Sequence, residues 1–188
     1  MRTLAGNGEA GFADGQGAAA RFNFPTALAR DKDGSILVAD QCNNAVRRVT
    51  MEGAVSTVAG NREADYADGE GAAARFNWPT AVVVDKEGTI LVADCKNKRL
   101  RKIVGRQVTT LAGGSEAGTA DGAGAGARFK KPYALALDER GRLLVAEDRV
   151  DTLRVVEASL APPAWMGPVD AAVQAVQVEK DQSFEKLQ

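Results

Sequence analysis

The segment Ala13 to Pro25, reading Ala-Asp-Gly-Gln-Gly-Ala-Ala-Ala-Arg-Phe-Asn-Phe-Pro, returns at Ala67 to Pro79 with 11 of 13 positions identical. Only Gln16 and Phe24 change, to Glu70 and Trp78. A third copy at Ala120 to Pro132 matches the second at 9 of 13 positions, and Asp14, Asp68 and Asp121 fall 54 and then 53 residues apart. A period of this length marks an array of like units, each too small to bury its own apolar face and each completed by its neighbour.

Inside a unit the apolar pattern has period two, with β-branched and aliphatic residues set between turn signals, so the units are built of strands. In the second unit the strands are expected at Thr80 to Asp85, Thr89 to Asp94, Arg99 to Val104 and Val108 to Ala112. Lys86-Glu87-Gly88 supplies the first turn, with Gly88 where a hairpin needs positive φ, and Gly34 and Gly141 hold the same place in the other units. Glu52-Gly53 and Gly105-Arg106 turn into the last strand. The runs Ile36 to Ala39, Ile90 to Ala93 and Leu143 to Ala146 are continuously apolar, as in strands covered on both faces. Four-stranded meanders stacked radially make a β-propeller, and an all-β propeller of about three blades is the fold class expected.

The residues then resemble a known family, the NHL repeat. The resemblance rests on Pro25, Asp31, Gly34, Ala39-Asp40, Asn43, Val46 and Arg47 in the first unit, and on Pro79, Asp85, Gly88, Ala93-Asp94, Asn97, Leu100 and Arg101 in the second. The third unit keeps Pro132, Asp138, Gly141, Leu153 and Arg154 but has Glu147 for the second Asp and Val150 for the Asn. The inserted Ala-Asp-Gly segment is similar to a long-loop subtype. Repeats are expected at about 7–60, 61–113 and 114–156, with a strand over residues 2–6 completing the last blade. Residues 157–188, which change composition at Pro162-Pro163, read as a linker and a short amphipathic helix over Val169 to Lys186. Three blades do not close a ring of four to eight. The chain is therefore expected to be part of a larger propeller, or else to form a homodimer with a composite six-bladed ring or an open arc with exposed edges.

Most repeated polar residues are expected to serve the scaffold. Asp40, Asp94, Asn43 and Asn97 sit at strand ends, where short polar side chains bond to nearby backbone N–H groups. Asp14, Asp68 and Asp121 are read as turn acids braced by Arg21, Arg75 and Arg128, seven residues on. Phe22, Phe76 and Phe129 are read as plugs between sheets. The third strands carry a basic register, Arg47, Arg101, Arg154 and the neighbouring Arg99, which forms a candidate rim for phosphates or an acidic peptide.

With no histidine, this chain supplies neither a Ser/His/Asp triad nor a Cys/His dyad, and Cys42 and Cys95 are too few for a disulfide scaffold or a four-thiolate zinc site. The glycine-rich loops lack the Gly-Lys-Ser/Thr of a phosphate-binding loop. Net charge is −1, and no apolar run approaches a membrane span. The expectation is a cytoplasmic, non-catalytic module with no cofactor and no metal that binds a protein or peptide. The resemblance implies target recognition in a ubiquitin-ligase-like or adaptor protein, and as alternatives an RNA-binding propeller or a metal-dependent lactonase or lyase.

Overall fold

The computed structural model describes residues 1–150, 152–157 and 177–180. The first unit contributes β1 (Gly15–Gln16), β2 (Pro25–Arg30), β3 (Ile36–Asp40), β4 (Ala45–Val49) and β5 (Ala54–Gly60), joined antiparallel in the order β1-β5-β4-β3-β2. The second repeats this with β6 (Gly69–Glu70), β7 (Pro79–Val84), β8 (Ile90–Asp94), β9 (Arg99–Val104) and β10 (Gln107–Gly113), in the order β6-β10-β9-β8-β7. The third sheet holds β11 (Pro132–Leu137), β12 (Leu143–Glu147), β13 (Leu153–Glu157) and β14 (Gln177–Lys180).

The meander and its turns stand where the sequence puts them, with Gly34, Gly88 and Gly141 at φ of +86°, +91° and +79°. Two strands depart from expectation. Residues 2–6 form no strand; Leu4 and Ala5 lie against the first sheet beside Ala20 and Phe22. The fourth strand of the third sheet comes instead from Gln177–Lys180, within the segment expected to be helical. The rest of that expected linker and helix lies outside the described residues.

The sheets stack face to face. Leu37, Ala39 and Val46 of the first meet Val82, Ile90, Val92 and Ile103 of the second, with Phe76 among them. Leu91 and Leu100 of the second meet Leu143, Val145 and Val156 of the third around Phe129. Phe76 and Phe129 are fully buried, whereas Phe22, on the free face of the first sheet, is half-buried. Side by side run β2, β7 and β11, and a threonine ladder crosses between them: Thr26 Oγ1 donates to the Thr80 carbonyl at 3.1 Å, and Thr80 Oγ1 to the Tyr133 carbonyl at 2.8 Å. Gly60 ends β5 at φ +95°, where a Cβ would stand 2.3 Å from the Asn44 carbonyl oxygen.

Phe76→Ala is expected to cost about 3–5 kcal/mol in urea unfolding, and Phe22→Ala clearly less, because only Phe76 is closed between two sheets. Equal losses would contradict this placement.

Candidate functional site

Arg47, Arg101 and Arg154 are among the largest fully buried side chains of the chain. The expected basic rim is therefore absent at these three positions. Strand alternation does give them one common sense, but the long loop of each unit folds across that side and encloses them.

Each guanidinium is a clasp between strand and loop. Arg47 Nη1 donates to Asp40 at 2.7 Å and to the Arg21 carbonyl at 3.1 Å, while Nη2 donates to the Ala13 carbonyl at 2.8 Å and to Asp14 at 2.6 Å. Arg101 repeats the pattern on Asp94, Arg75, Ala67 and Asp68 at 2.7–2.9 Å. Arg154 does so on Glu147, Arg128, Ala120 and Asp121, with its Glu147 bond stretched to 3.4 Å. Aromatic rings close the faces of the cation: Phe12 at 4.6 Å and Phe22 at 5.3 Å for Arg47, Tyr66 at 4.9 Å and Phe76 at 5.1 Å for Arg101. Phe129 stands 4.7 Å from Arg154, where Thr119 occupies the position equivalent to Phe12 and Tyr66.

The acids are committed to the same construction. Asp94 accepts the Asn77 N–H at 2.7 Å and Asn97 Nδ2 at 2.9 Å besides Arg101, and Asp40 accepts Asn23 N–H and Asn43 Nδ2 equivalently. Their backbone donors lie 17 residues back along the chain, not in the adjacent turn, so these aspartates tie loop to strand. Burial pushes the Asp94 carboxyl above its ordinary value, and Arg101 and the N–H donors pull it back down. The brace expected for Asp14, Asp68 and Asp121 is also reassigned: their partners are Arg47, Arg101 and Arg154. Arg21, Arg75 and Arg128 instead reach Glu9, Glu63 with Asp65, and Glu116. Of the expected rim Arg99 alone escapes burial, and it lies 3.8 Å over the Tyr66 ring.

Exposed chemistry gathers where the innermost strands begin. Phe24 is 64% exposed and Trp78 39%, and both hold a left-handed φ of +57°. Bulky residues rarely adopt that conformation, and strain of this kind collects at ligand sites. The carbonyls of Phe24 and Trp78 accept the N–H groups of Gln41 and Cys95, each at 3.3 Å, and Asn44 Oδ1 accepts the Trp78 N–H at 2.9 Å across the sheet boundary. Lys96 Nζ stands 3.3 Å from the Trp78 ring centroid. In the third unit Lys131 takes the aromatic position, its ammonium 3.5 Å from Asp148. The sequence carries a signal for this surface: position 24/78/131 changes between a retained Phe two residues before it and a retained Pro directly after it. Cys42, on the same loops, is exposed, whereas burial raises the Cys95 thiol to about 11. Among the described residues no three His, Cys, Asp or Glu side chains converge as a metal site.

Repeated antiparallel sheets packed face to face around buried arginine clasps define a β-propeller repeat protein. The NHL repeat family matches at residues 22–48 and 76–103, so the chain carries NHL repeats over these two stretches. The matched stretches are the two units with the complete Asp, Asn and Arg set. Over 92 residues the chain is 36% identical to Protein SUPPRESSOR OF QUENCHING 1, chloroplastic, of Arabidopsis thaliana, covering 48% of this chain and 9% of that protein. A structural genomics protein of unknown function from Bacteroides thetaiotaomicron superposes with a TM-score of 0.58 at 29% identity, over 61% of this chain and 30% of the other. Virginiamycin B lyase from Staphylococcus aureus shares the fold, with a TM-score of 0.54 at 10% identity over 89% of this chain and 44% of the lyase. The chain thus spans less than half of each of these proteins. None of its described helices is long and apolar enough to cross a membrane.

Asp94→Ala leaves Arg101 buried beside one lost partner and is expected to cost about 3–5 kcal/mol, read from urea unfolding. With iodoacetamide at neutral pH, Cys42 is expected to react and Cys95 to stay protected, its alkylation rising only toward pH 11 as the thiolate forms. Equal labelling of the two would contradict the burial of Cys95.

Proposed function

We propose that this chain is a non-catalytic binding module that grips a protein or peptide on the surface formed by Phe24, Trp78, Lys96 and Lys131. The observation that carries the reading is the pair of exposed aromatics held at left-handed φ on equivalent positions of adjacent sheets. Large rigid rings flanked by ammonium groups suit a partner with apolar and acidic side chains. The acidic residues that a lactonase-like or lyase-like reading would recruit are committed to the clasps. Asp40 and Asp94 are fully buried against arginine, and Asp14 and Asp68 each accept from an arginine and a threonine. In a longer protein this module serves as the target-recognition part of an adaptor or ubiquitin-ligase-like assembly. Free thiols at Cys42 and Cys95 suit a reducing compartment such as the cytoplasm.

Screening the chain against an array of acidic and neutral peptides, and then repeating it with Phe24→Ala/Trp78→Ala, tests the reading. The double variant is expected to lose selected acidic binders at least about tenfold while its melting temperature stays within a few degrees, since both side chains are exposed. Unchanged peptide binding would overturn the proposed surface. Salt-sensitive retention of single-stranded RNA with no peptide selected would favour a nucleic-acid partner instead.

A further inference from the structure

In the first two sheets the clasp aspartate has a second partner. Asp14 accepts both the N–H and the hydroxyl of Thr57 at 3.0 Å, and Asp68 accepts both from Thr110 at 3.2 and 3.1 Å. The third sheet departs from this. Asp121 is held by Arg154 at 2.8 Å, but the strand beside β13 is β14, whose residues Gln177 to Lys180 include no threonine.

The matching strand is present elsewhere in the chain. Thr3-Leu4-Ala5-Gly6 repeats Thr57-Val58-Ala59-Gly60 and Thr110-Leu111-Ala112-Gly113. Its placement repeats as well. Leu4 and Ala5 pack against Ala20 and Phe22, as Val58 and Ala59 pack with Ala74 and Phe76, and Leu111 and Ala112 with Ala127 and Phe129. Residues 3–6 therefore lie where the outer strand of a preceding sheet would lie.

The two end faces of the stack are equivalents of faces that are buried inside it. On the first sheet Leu28 is 69% exposed, while its counterpart Val82 is 3% exposed against the sheet before it. On the third sheet Leu153 is 36% exposed, while its counterparts Val46 and Leu100 are fully buried against the sheet after them. Ala134 and Ala136 are likewise exposed, and Leu144 and Ala146 half-buried, where Leu91 and Ala93 are closed off. The face that fits the third sheet is thus the free face of a first sheet, with residues 3–6 already lying on it.

We infer that a second copy of this chain supplies both. Its residues 3–6 take the place of β14 beside β13 and bring Thr3 to Asp121, its Leu28 face covers Ala134 and Leu153, and the reciprocal contact closes one ring of two chains. A two-fold rotation satisfies both contacts at once, so the assembly stops at two copies.

Light scattering on the full chain tests this. The expected mass is twice 19.7 kDa at tens of micromolar, falling to 19.7 kDa on dilution. Leu28→Asp and Ala134→Asp, both at exposed positions, are each expected to give a folded monomer by circular dichroism. Mixing the two variants restores one unaltered contact and is expected to recover mixed dimers, as a seam in which Leu28 met Leu28 of the other copy would not. Thr3→Val is expected to weaken the dimer at least about tenfold by removing the bonds to Asp121. A monomer at every concentration, open-ended polymers, or dimers indifferent to Leu28→Asp would overturn the inference.

Discussion

A buried guanidinium organises each unit of this protein. Removing a charge from water costs several kcal/mol, and the cost is offset only where the charge is paired and most of its donors find acceptors. Arg47 and Arg101 reach that condition at their Nη groups, through two carboxylates and two backbone carbonyls each, with two aromatic rings beside each cation, while each Nε is buried without a hydrogen-bond partner. The acceptors come from the long loop that precedes β2 or β7 and from the end of β3 or β8. One side chain therefore fixes where a long glycine- and alanine-rich segment lies against the sheet, a segment with little apolar surface of its own to hold it. That segment in turn carries Phe76 or Phe129 into the gap between sheets, so the clasp and the inter-sheet core depend on each other. The third clasp is the weaker version, with a glutamate at 3.4 Å, a valine where asparagine stood and one ring in place of two.

Much of the fold was legible because its determinants are local. The strands of the second unit fall within a residue or two of the positions expected from alternation and the Gly88 turn, since period two and positive φ are properties of short windows. The clasp was not legible, because its bonds join residues 33 or 34 apart: Arg47 to Asp14 and Ala13, Arg101 to Asp68 and Ala67. Alternation showed that Arg47 and Arg48 point to opposite sides, but not that a loop covers one of them. Charge alone then suggested a rim. The same limit hid the strand Gln177–Lys180, whose pairing with β13 is a long-range contact that the helical spacing around Val169 does not report.

The committed polar residues and the uncommitted ones part cleanly. Aspartates and arginines that recur in every unit, and the asparagines shared by the first two, are spent on holding loops, which is what recurrence in a scaffold requires. What differs between units lies at the entrance to the innermost strands, where Phe24, Trp78 and Lys131 alternate on one backbone position. A repeated frame with a variable set of exposed side chains at one end is how propellers present different surfaces without altering their core.

Native-state hydrogen exchange tests the central role of the clasp most directly. The N–H groups of Asn77 and Thr110 bond to Asp94 and Asp68, the two carboxylates that Arg101 joins. In the native chain both amides should exchange as slowly as those of β8. In Arg101→Met they should become fast together, while Asn23 and Thr57, held by the Arg47 clasp, stay protected. Fast exchange at Asn77 and Thr110 in the unaltered protein, or protection that survives loss of the guanidinium, would contradict the account.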